Sequence, residues 1–502
     1  MNGVTDEKLD LLFPQPSPPP TSLSPQRWPG ISVESTAALL AVLKDNHKKY
    51  HIFFNNMGFH NHITHRALAL YALGASGPVI EGLYKLDGAN QRPAFKSPEE
   101  VTTENFNAHL GDENYFEAYT TFFFKTLSEK GAAATLEEYI FSDKYNFISG
   151  GESTTQPEML FRFVDGVLHP MIHAGYGLEF GLVGMLAEGL AMTAVHKTDV
   201  RSSILIPPTL FTSEIPNSIN AATSHLASLV LNSTAANVTV KSEPRTGTHP
   251  FDVLARMLKD PRFPQGPRNF IGQFPDTLAA HAEEIRKYAE QWTIDLSKPG
   301  ELDRKMEELI WTSSLMYGIG GWDKTSGFKA DFFLMHLVTS SLFLPSVLPY
   351  LAPRSQALLM RAYFVSSLTW WVARGRPGFD IKEFFASTSA LPTPPGETSS
   401  HSPTPNVPLP HAQTPNPWLP LLQSTIVHPN DHFAKIQRAF AHFGVIYGTC
   451  AAGYFKGTEL EGAEHLDGSL FIRAAGLTSE KMGWTREGQE GHMWSFEGFY
   501  VQ

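Results

Sequence analysis

Apolar residues recur at intervals of three and four along most of this chain. ESTAALLAVLKDNHKKYHIFF, HITHRALALYALGA, NYFEAYTTFFFKTLSEKG and GLVGMLAEGLAMTAVH each line one side with Leu, Ala, Val or Phe, the spacing of amphipathic or buried helices. PDTLAAHAEEIRKYAEQWTIDL, DRKMEELIWTSSLMYGIGG and RSQALLMRAYFVSSLTWWVARGRP repeat the pattern, the last ended by Gly375 and Pro377. No run of short Val/Ile strands alternates with these segments, which argues against a parallel βαβ sheet. VTVKSEP near Val238 predicts at most one short strand. The expected fold is all-α or strongly α-dominated.

Proline interrupts this pattern twice. Residues 1–30 are rich in Pro and Ser and predict a disordered tail. LPTPPGETSSHSPTPNVPLPHAQTPNP, residues 391–417, cannot hold a helix or a central strand because Pro lacks the amide donor. Helical patterning resumes directly after it, so 391–417 is expected to be an insertion loop within one helical domain spanning 31–502.

Composition narrows the function classes. A formal charge of −11 without a Lys/Arg cluster disfavours nucleic-acid binding. The single cysteine, Cys450, excludes an intramolecular disulfide and any multi-cysteine metal site. The N-terminal stretch is acidic early and has no apolar signal core. Phe332–Tyr350 is the nearest approach to a membrane span, yet it carries His336, Thr339, Ser340, Ser341, Pro345 and Pro349. A buried core helix suits it better than lipid. A cytoplasmic protein without membrane attachment is expected, its oligomeric state open.

Histidine placement is the strongest chemical signal. His62 and His65 stand three apart, His169 and His173 four apart, His428 and His432 four apart, and His336 lies within DFFLMHLVTSSLFLP. Positions three or four apart share a helix face, so each pair can aim two imidazoles at one point. Several pairs facing inward would form a nitrogen-rich pocket suited to iron, copper or zinc. A single buried histidine is more often a hydrogen-bonded core residue, but three pairs plus His336 favour a metal. His169-Pro170 and His428-Pro429 each predict a helix start, with His173 and His432 in the first turn and His169 and His428 alternatively capping. Lys435 shares a face with His432 and Arg438. It reads either as part of a surface basic stripe or as a buried amine with a depressed pKa, able to add carbon dioxide and ligate as a carbamate. Glu179 and Glu188 fit either salt bridges or hydrogen-bond acceptors that orient the histidines. GYGLEFG lacks a preceding strand and the third glycine of a dinucleotide fingerprint. GxSxG, Walker and HExxH signatures are absent.

At HNHITHRALALYALGAS, HPMIHAGYGLEFG, KADFFLMHLVTSS and HPNDHFAKIQRAF the chain resembles the questin oxidase-like family of fungal polyketide-modifying enzymes. The resemblance spans nearly everything outside the N-terminal tail and the Pro-rich insertion. It implies oxidative opening of an anthraquinone or related polycyclic ring in secondary metabolism, with dioxygen as co-substrate. It also implies either NADPH-requiring Baeyer–Villiger chemistry or a non-heme Fe(II) site held by four histidines and a carboxylated lysine. On that resemblance the ligands come from His62 or His65, His169 or His173, His336 and His432. Lys435 is the best match for the modified lysine, ahead of Lys382 and Lys329. Thr339, one turn beyond His336, is expected to hydrogen-bond the anionic ligand or bound oxygen. Phe332, Phe333, Trp370 and Trp371 offer flat walls for a polycycle, although core packing is the commoner role for such residues. The missing nucleotide-binding βαβ unit favours the metal over a flavin-type route. A helical scaffold that merely binds a polyketide is the non-enzymatic alternative.

Overall fold

The computed structural model describes residues 6–148, 156–199, 201–212, 247–263, 273–396 and 415–500. Helices dominate. Among the described residues the only sheet is a hairpin pairing Trp322–Asp323 with Gly327–Phe328. The strand expected near Val238 lies outside the described residues, as do positions 397–414 of the Pro-rich insertion.

The helices that matter for chemistry are buried on all sides. Every residue of Ile63–Ala72 and of His169–Phe180 is buried, and all but the first of Val183–Val195. This explains why their apolar stripes were broad: a helix hydrophobic around its circumference belongs in the middle of a core. His169–Phe180 and Val183–Val195 pack so closely that glycine is required at the crossing. A Cβ on Gly177 would stand 2.5 Å from the Leu186 nitrogen, and one on Gly189 2.5 Å from the Ala174 nitrogen. Both obstacles are backbone, so Gly177→Ala or Gly189→Ala must separate the helices, at a cost of about 1–3 kcal/mol. Gly177 of GYGLEFG therefore serves helix packing, and Gly181 ends the helix in the left-handed conformation at φ 67°.

Phe332–Ser341 is started by Asp331, whose carboxylate accepts from the amides of Phe333 and Leu334, each at 3.0 Å. The same carboxylate meets Arg374 at 2.8 Å with both side chains buried. This ion pair welds the helix start to the end of Pro353–Ala373. The apolar run Phe332–Tyr350 is long enough to cross a bilayer, but 89% of its most apolar window is buried within the protein. It breaks near Pro345 into shorter pieces.

Two expectations need correction. Residues 6–30, expected to be disordered, are packed onto the body. Asp6–Leu12 is a helix, Leu9, Leu12 and Phe13 enter the core, and the Ser24 hydroxyl donates to the Pro345 carbonyl at 3.0 Å. Leu9, Leu12 and Phe13 stand three and four apart on one face of this helical turn and anchor it, and the prolines that follow restrict the unfolded chain and lower the entropy lost on docking. His428-Pro429 does not open a helix. His428 caps the C-terminal end of Trp418–Val427, and the next helix is Phe433–Tyr447 with His432 at its N-cap. The intervening Asn430 amide bonds the His428 ring at 3.1 Å, closing a turn where a helix start was predicted.

Candidate metal centre

Four imidazoles from four separate segments meet in the core. His62 precedes Ile63–Ala72, His169 opens its helix, His336 sits mid-helix and His432 precedes Phe433–Tyr447. One ring nitrogen from each lies within 4.8 Å of all the others, and all four residues are buried.

The hydrogen bonds fix which nitrogen points inward. The Nδ1–H of His336 donates to the Phe332 carbonyl at 2.7 Å, and that of His169 to the Gly166 carbonyl at 2.6 Å. His62 and His432 donate from Nδ1 to the two oxygens of one carboxylate, Asp431, at 2.9 and 2.7 Å. With each Nδ1 so engaged, each Nε2 carries a bare lone pair. Among the described residues His336 Nε2 and His432 Nε2 find no hydrogen-bond partner, and His62 Nε2 faces His169 Nε2 at 2.8 Å. Lone pairs held that close in a buried space require a cation or a shared proton between them. Outer oxygens that fix the tautomer of inner imidazoles are the usual support of a histidine metal site.

Electrostatics keeps these rings uncharged. Burial pushes His336 and His169 well below the ordinary imidazole value and His62 down to about 3, and His432 is lowered too. Burial alone would raise Asp431, but His432 and His62 hold its carboxyl well below the usual range. An ionised Asp431 can only accept, which agrees with its two imidazole donors.

Lys435 is the fifth group. Its side chain is buried, its Nζ has no hydrogen-bond partner among the described residues, and burial lowers its pKa to about 7. When charged it depresses His62, His336 and His432, so it lies within electrostatic reach of the cluster. The surface-stripe alternative fails here, because Arg438 is buried as well and pairs with Glu179. Lys382 is exposed, and Lys329 donates to the Gly498 carbonyl at 3.1 Å.

The other predicted site residues go elsewhere. His65 Nε2 meets His173 Nδ1 at 3.0 Å, and His173 Nε2 meets Glu188 at 3.1 Å. Each pair is thus split, one histidine in the cluster and one outside it. His428 is excluded, its Nε2 directed at the Met482 carbonyl at 3.2 Å. Thr339 is buried and donates to the His336 carbonyl at 3.2 Å. Phe332 stands edge-on to His336 at 4.8 Å and to His432 at 4.9 Å, and so forms a wall of the cluster. Phe333 stacks on Trp370 at 5.1 Å. Trp371 is core, its indole N–H donating to the Pro377 carbonyl at 3.1 Å.

Sequence reasoning missed Asp431 and His60. Asp431 lay within the quoted HPNDH segment, adjacent to a proposed ligand. His60 lies face to face with His169 at 4.0 Å, and its HNH spacing to His62 was the available signal.

The profile of the questin oxidase-like family matches residues 59–440, which contain the four histidines, Asp431 and Lys435. The chain belongs to the questin oxidase-like family. Among its relatives, a Baeyer–Villiger oxidase of Pestalotiopsis fici is 27% identical over 419 residues, 81% of this chain and 80% of the relative. A questin oxidase of Aspergillus fumigatus is 26% identical over 350 residues, 66% and 69% of the two chains. An oxidoreductase of Aspergillus parasiticus is 25% identical over 347 residues, 67% and 62%. This questin oxidase-like protein is accordingly an oxidoreductase.

Proposed function

We propose that this protein is an oxygenase of fungal polyketide metabolism that opens a ring of an anthraquinone or related polycyclic phenol. In this reading His62, His169, His336 and His432 hold a divalent iron, with Lys435 supplying the anion. The observation that carries it is the set of buried Nε2 lone pairs converging without donors. Neutral imidazoles suit iron, copper and zinc alike, and the oxidative names of the relatives favour a redox-active metal. Ferrous iron, when bound, supplies the electrons with which dioxygen is activated.

The chain's own groups do the rest. Asp431 and the carbonyls of Gly166 and Phe332 hold the four rings in one tautomer before anything binds. Such preorganisation spares reorganisation during reaction. The four imidazoles bring no charge, so an anion is needed close by. Among the described residues Lys435 is the lysine whose charge acts on the cluster. As a neutral amine its Nζ attacks carbon dioxide, forming an N–C bond and releasing one proton, and the product carries a negative carbamate. The Thr339 hydroxyl donates its hydrogen bond to the His336 carbonyl, so its oxygen can act toward any further group only as an acceptor. Phe332, and beyond it the stacked pair of Phe333 and Trp370, offer apolar ring surface for a polycycle.

The names of the relatives support a second enzymatic reading, in which NADPH electrons drive a Baeyer–Villiger insertion on the same substrates. Oxygen uptake with a hydroxyanthraquinone separates the two. The iron reading expects uptake without NADPH, abolished by a chelator and restored by ferrous iron. Uptake strictly stoichiometric with NADPH and indifferent to chelation overturns it.

A further inference from the structure

His336 and His169 make the same kind of Nδ1–H to carbonyl bond by different routes. His336 is the fifth residue of Phe332–Ser341, so the Phe332 carbonyl, one helical turn behind, stands ready for its ring. His169 is the first residue of His169–Phe180, and the preceding helix has already ended at Val164. No helical carbonyl stands four residues behind it. The chain supplies one by reversing its hand. Gly166, Val167 and Leu168 have φ of 55°, 55° and 63°. The Gly166 carbonyl then receives both the His169 amide at 3.3 Å and the His169 Nδ1–H at 2.6 Å.

Three left-handed residues in a row are unfavourable for an L-chain, and glycine relieves only the first of them. Val167 is β-branched, the side-chain type least suited to a positive φ. Such backbone persists where its surroundings impose it. The Leu168 side chain is fully buried and its amide donates to the Asp165 carbonyl at 2.9 Å. His196, at the end of Val183–Val195, lays its ring over Gly166 so closely that a Cβ there would stand 2.2 Å from Nε2. That ring is itself held, its Nδ1–H donating to the Lys197 carbonyl at 3.0 Å, and Arg162 bonds the His196 carbonyl. His60 stacks on the face of His169 at 4.0 Å and lies parallel to His196 at 5.6 Å.

We propose that the left-handed turn 166–168 locks His169 for metal binding, and that His196, acting through Gly166, is the positioning residue that holds this turn closed. The proposal rests on the four-histidine reading above and adds the part of the chain that prepares one of its rings. A carbonyl only accepts, so the turn keeps the His169 proton on Nδ1 and leaves Nε2 bare toward the cluster. With the His196 ring gone, the strained turn is free to relax, and the Gly166 carbonyl leaves the imidazole. Val167 carries the strain, so a residue that tolerates the left-handed conformation there makes the turn less dependent on His196.

Two measurements on the full-length, metal-free protein test this without turnover. In the first, cobalt(II) is titrated in competition with a chelator. His196→Ala is expected to bind it about 10–100-fold more weakly than the parent, with the helical circular dichroism retained. Asparagine enters the left-handed region far more readily than valine. Val167→Asn added to His196→Ala is therefore expected to recover most of that loss, and alone to bind as the parent does. Parental cobalt affinity in His196→Ala, or a double variant no better than His196→Ala, overturns the proposal and leaves His196 a packing residue. In the second, ring 15N spectra of histidine-labelled protein read the bond itself, with His169 assigned by its loss in His169→Gln. The proton is expected on Nδ1 in the parent and on both nitrogens in Val167→Pro, whose φ of about −65° forbids the turn. His169 signals unchanged in Val167→Pro overturn the proposal. Should Val167→Pro fail to fold, His196→Ala must show the mixed tautomers instead. A parent that binds no cobalt overturns the four-histidine reading, and the 15N spectra then still decide whether the turn fixes His169.

Discussion

Two groups of buried histidines lie side by side here and resolve the same difficulty in opposite ways. In the cluster of His62, His169, His336 and His432, each Nδ1 is tied to a carboxylate or carbonyl oxygen and each Nε2 is left bare. In the chain of His47, His173 and His65, nitrogens bond to Glu188 or to one another, and a single nitrogen remains at the end. Both are fully buried and both use histidines at helical spacing. Burial and spacing therefore do not separate a cluster able to hold a metal from an internal hydrogen-bond chain. The direction of the unspent lone pairs does.

The sharpest way to break this comparison is to remove one histidine from each group. His336→Ala is expected to lose bound iron and lower turnover by at least about 100-fold, with the helical circular dichroism retained. His173→Ala leaves the ionised Glu188 short of a donor. It is expected to lower stability by about 1–3 kcal/mol in denaturant unfolding while keeping the iron stoichiometry. Equal iron loss in both variants would erase the distinction.

Lys435 sharpens it further. Lys435→Arg is expected to lose turnover, because a guanidinium stays protonated and cannot be carboxylated. Lys435→Glu should recover part of it, from a carboxylate set farther back. The pH dependence has a definite sign. The folded amine, lowered to about 7 by burial, takes up a proton as pH falls through that value and can no longer hold carbon dioxide. Iron loading should fall with it, well above the range where His62, held at about 3, would protonate. In Lys435→Glu the loss near pH 7 should vanish. A limb unchanged in that variant assigns it to another group.

Asp431 is next in size. Asp431→Asn loses the anion that receives both His62 and His432, and replacing such an outer partner costs about 10–100-fold in metal affinity. A competition titration against a chelator measures it, and parental affinity in the variant would show that the carbonyls alone suffice. The smallest effect is expected at His428, which is outside the cluster. His428→Asn should leave turnover within about twofold of the parent and shift stability by about 1 kcal/mol. Loss of iron in this variant would place His428 in the site after all.

Much of the site was legible because its residues were rare in their surroundings. A histidine inside DFFLMHLVTSS cannot be explained by solvation or capping, and His336 proved to be in the cluster. The choice within each pair was not legible. His62 and His65 share a face, as do His169 and His173, and only the third dimension decides which ring joins the cluster and which joins the chain that ends on Glu188. Asp431 went unnoticed because an acidic residue before a helix reads as an N-terminal cap, whereas here it bridges two imidazoles. The helices were legible from periodicity, with Glu301–Ser314 and Pro353–Ala373 close to their expected spans. The packing of residues 6–30 was not, since the three-and-four spacing of Leu9, Leu12 and Phe13 covers little more than one turn before the Pro-rich run that begins at Pro14.

The claim at the centre of this account is that four bare imidazole nitrogens mark the metal site and the neighbouring histidine chain does not. Metal analysis of the purified protein and of its His336→Ala and His173→Ala variants tests it most directly. The account predicts one iron per chain in the parent and in His173→Ala, and none in His336→Ala. A parent protein free of iron that turns over fully in the presence of a chelator would contradict it.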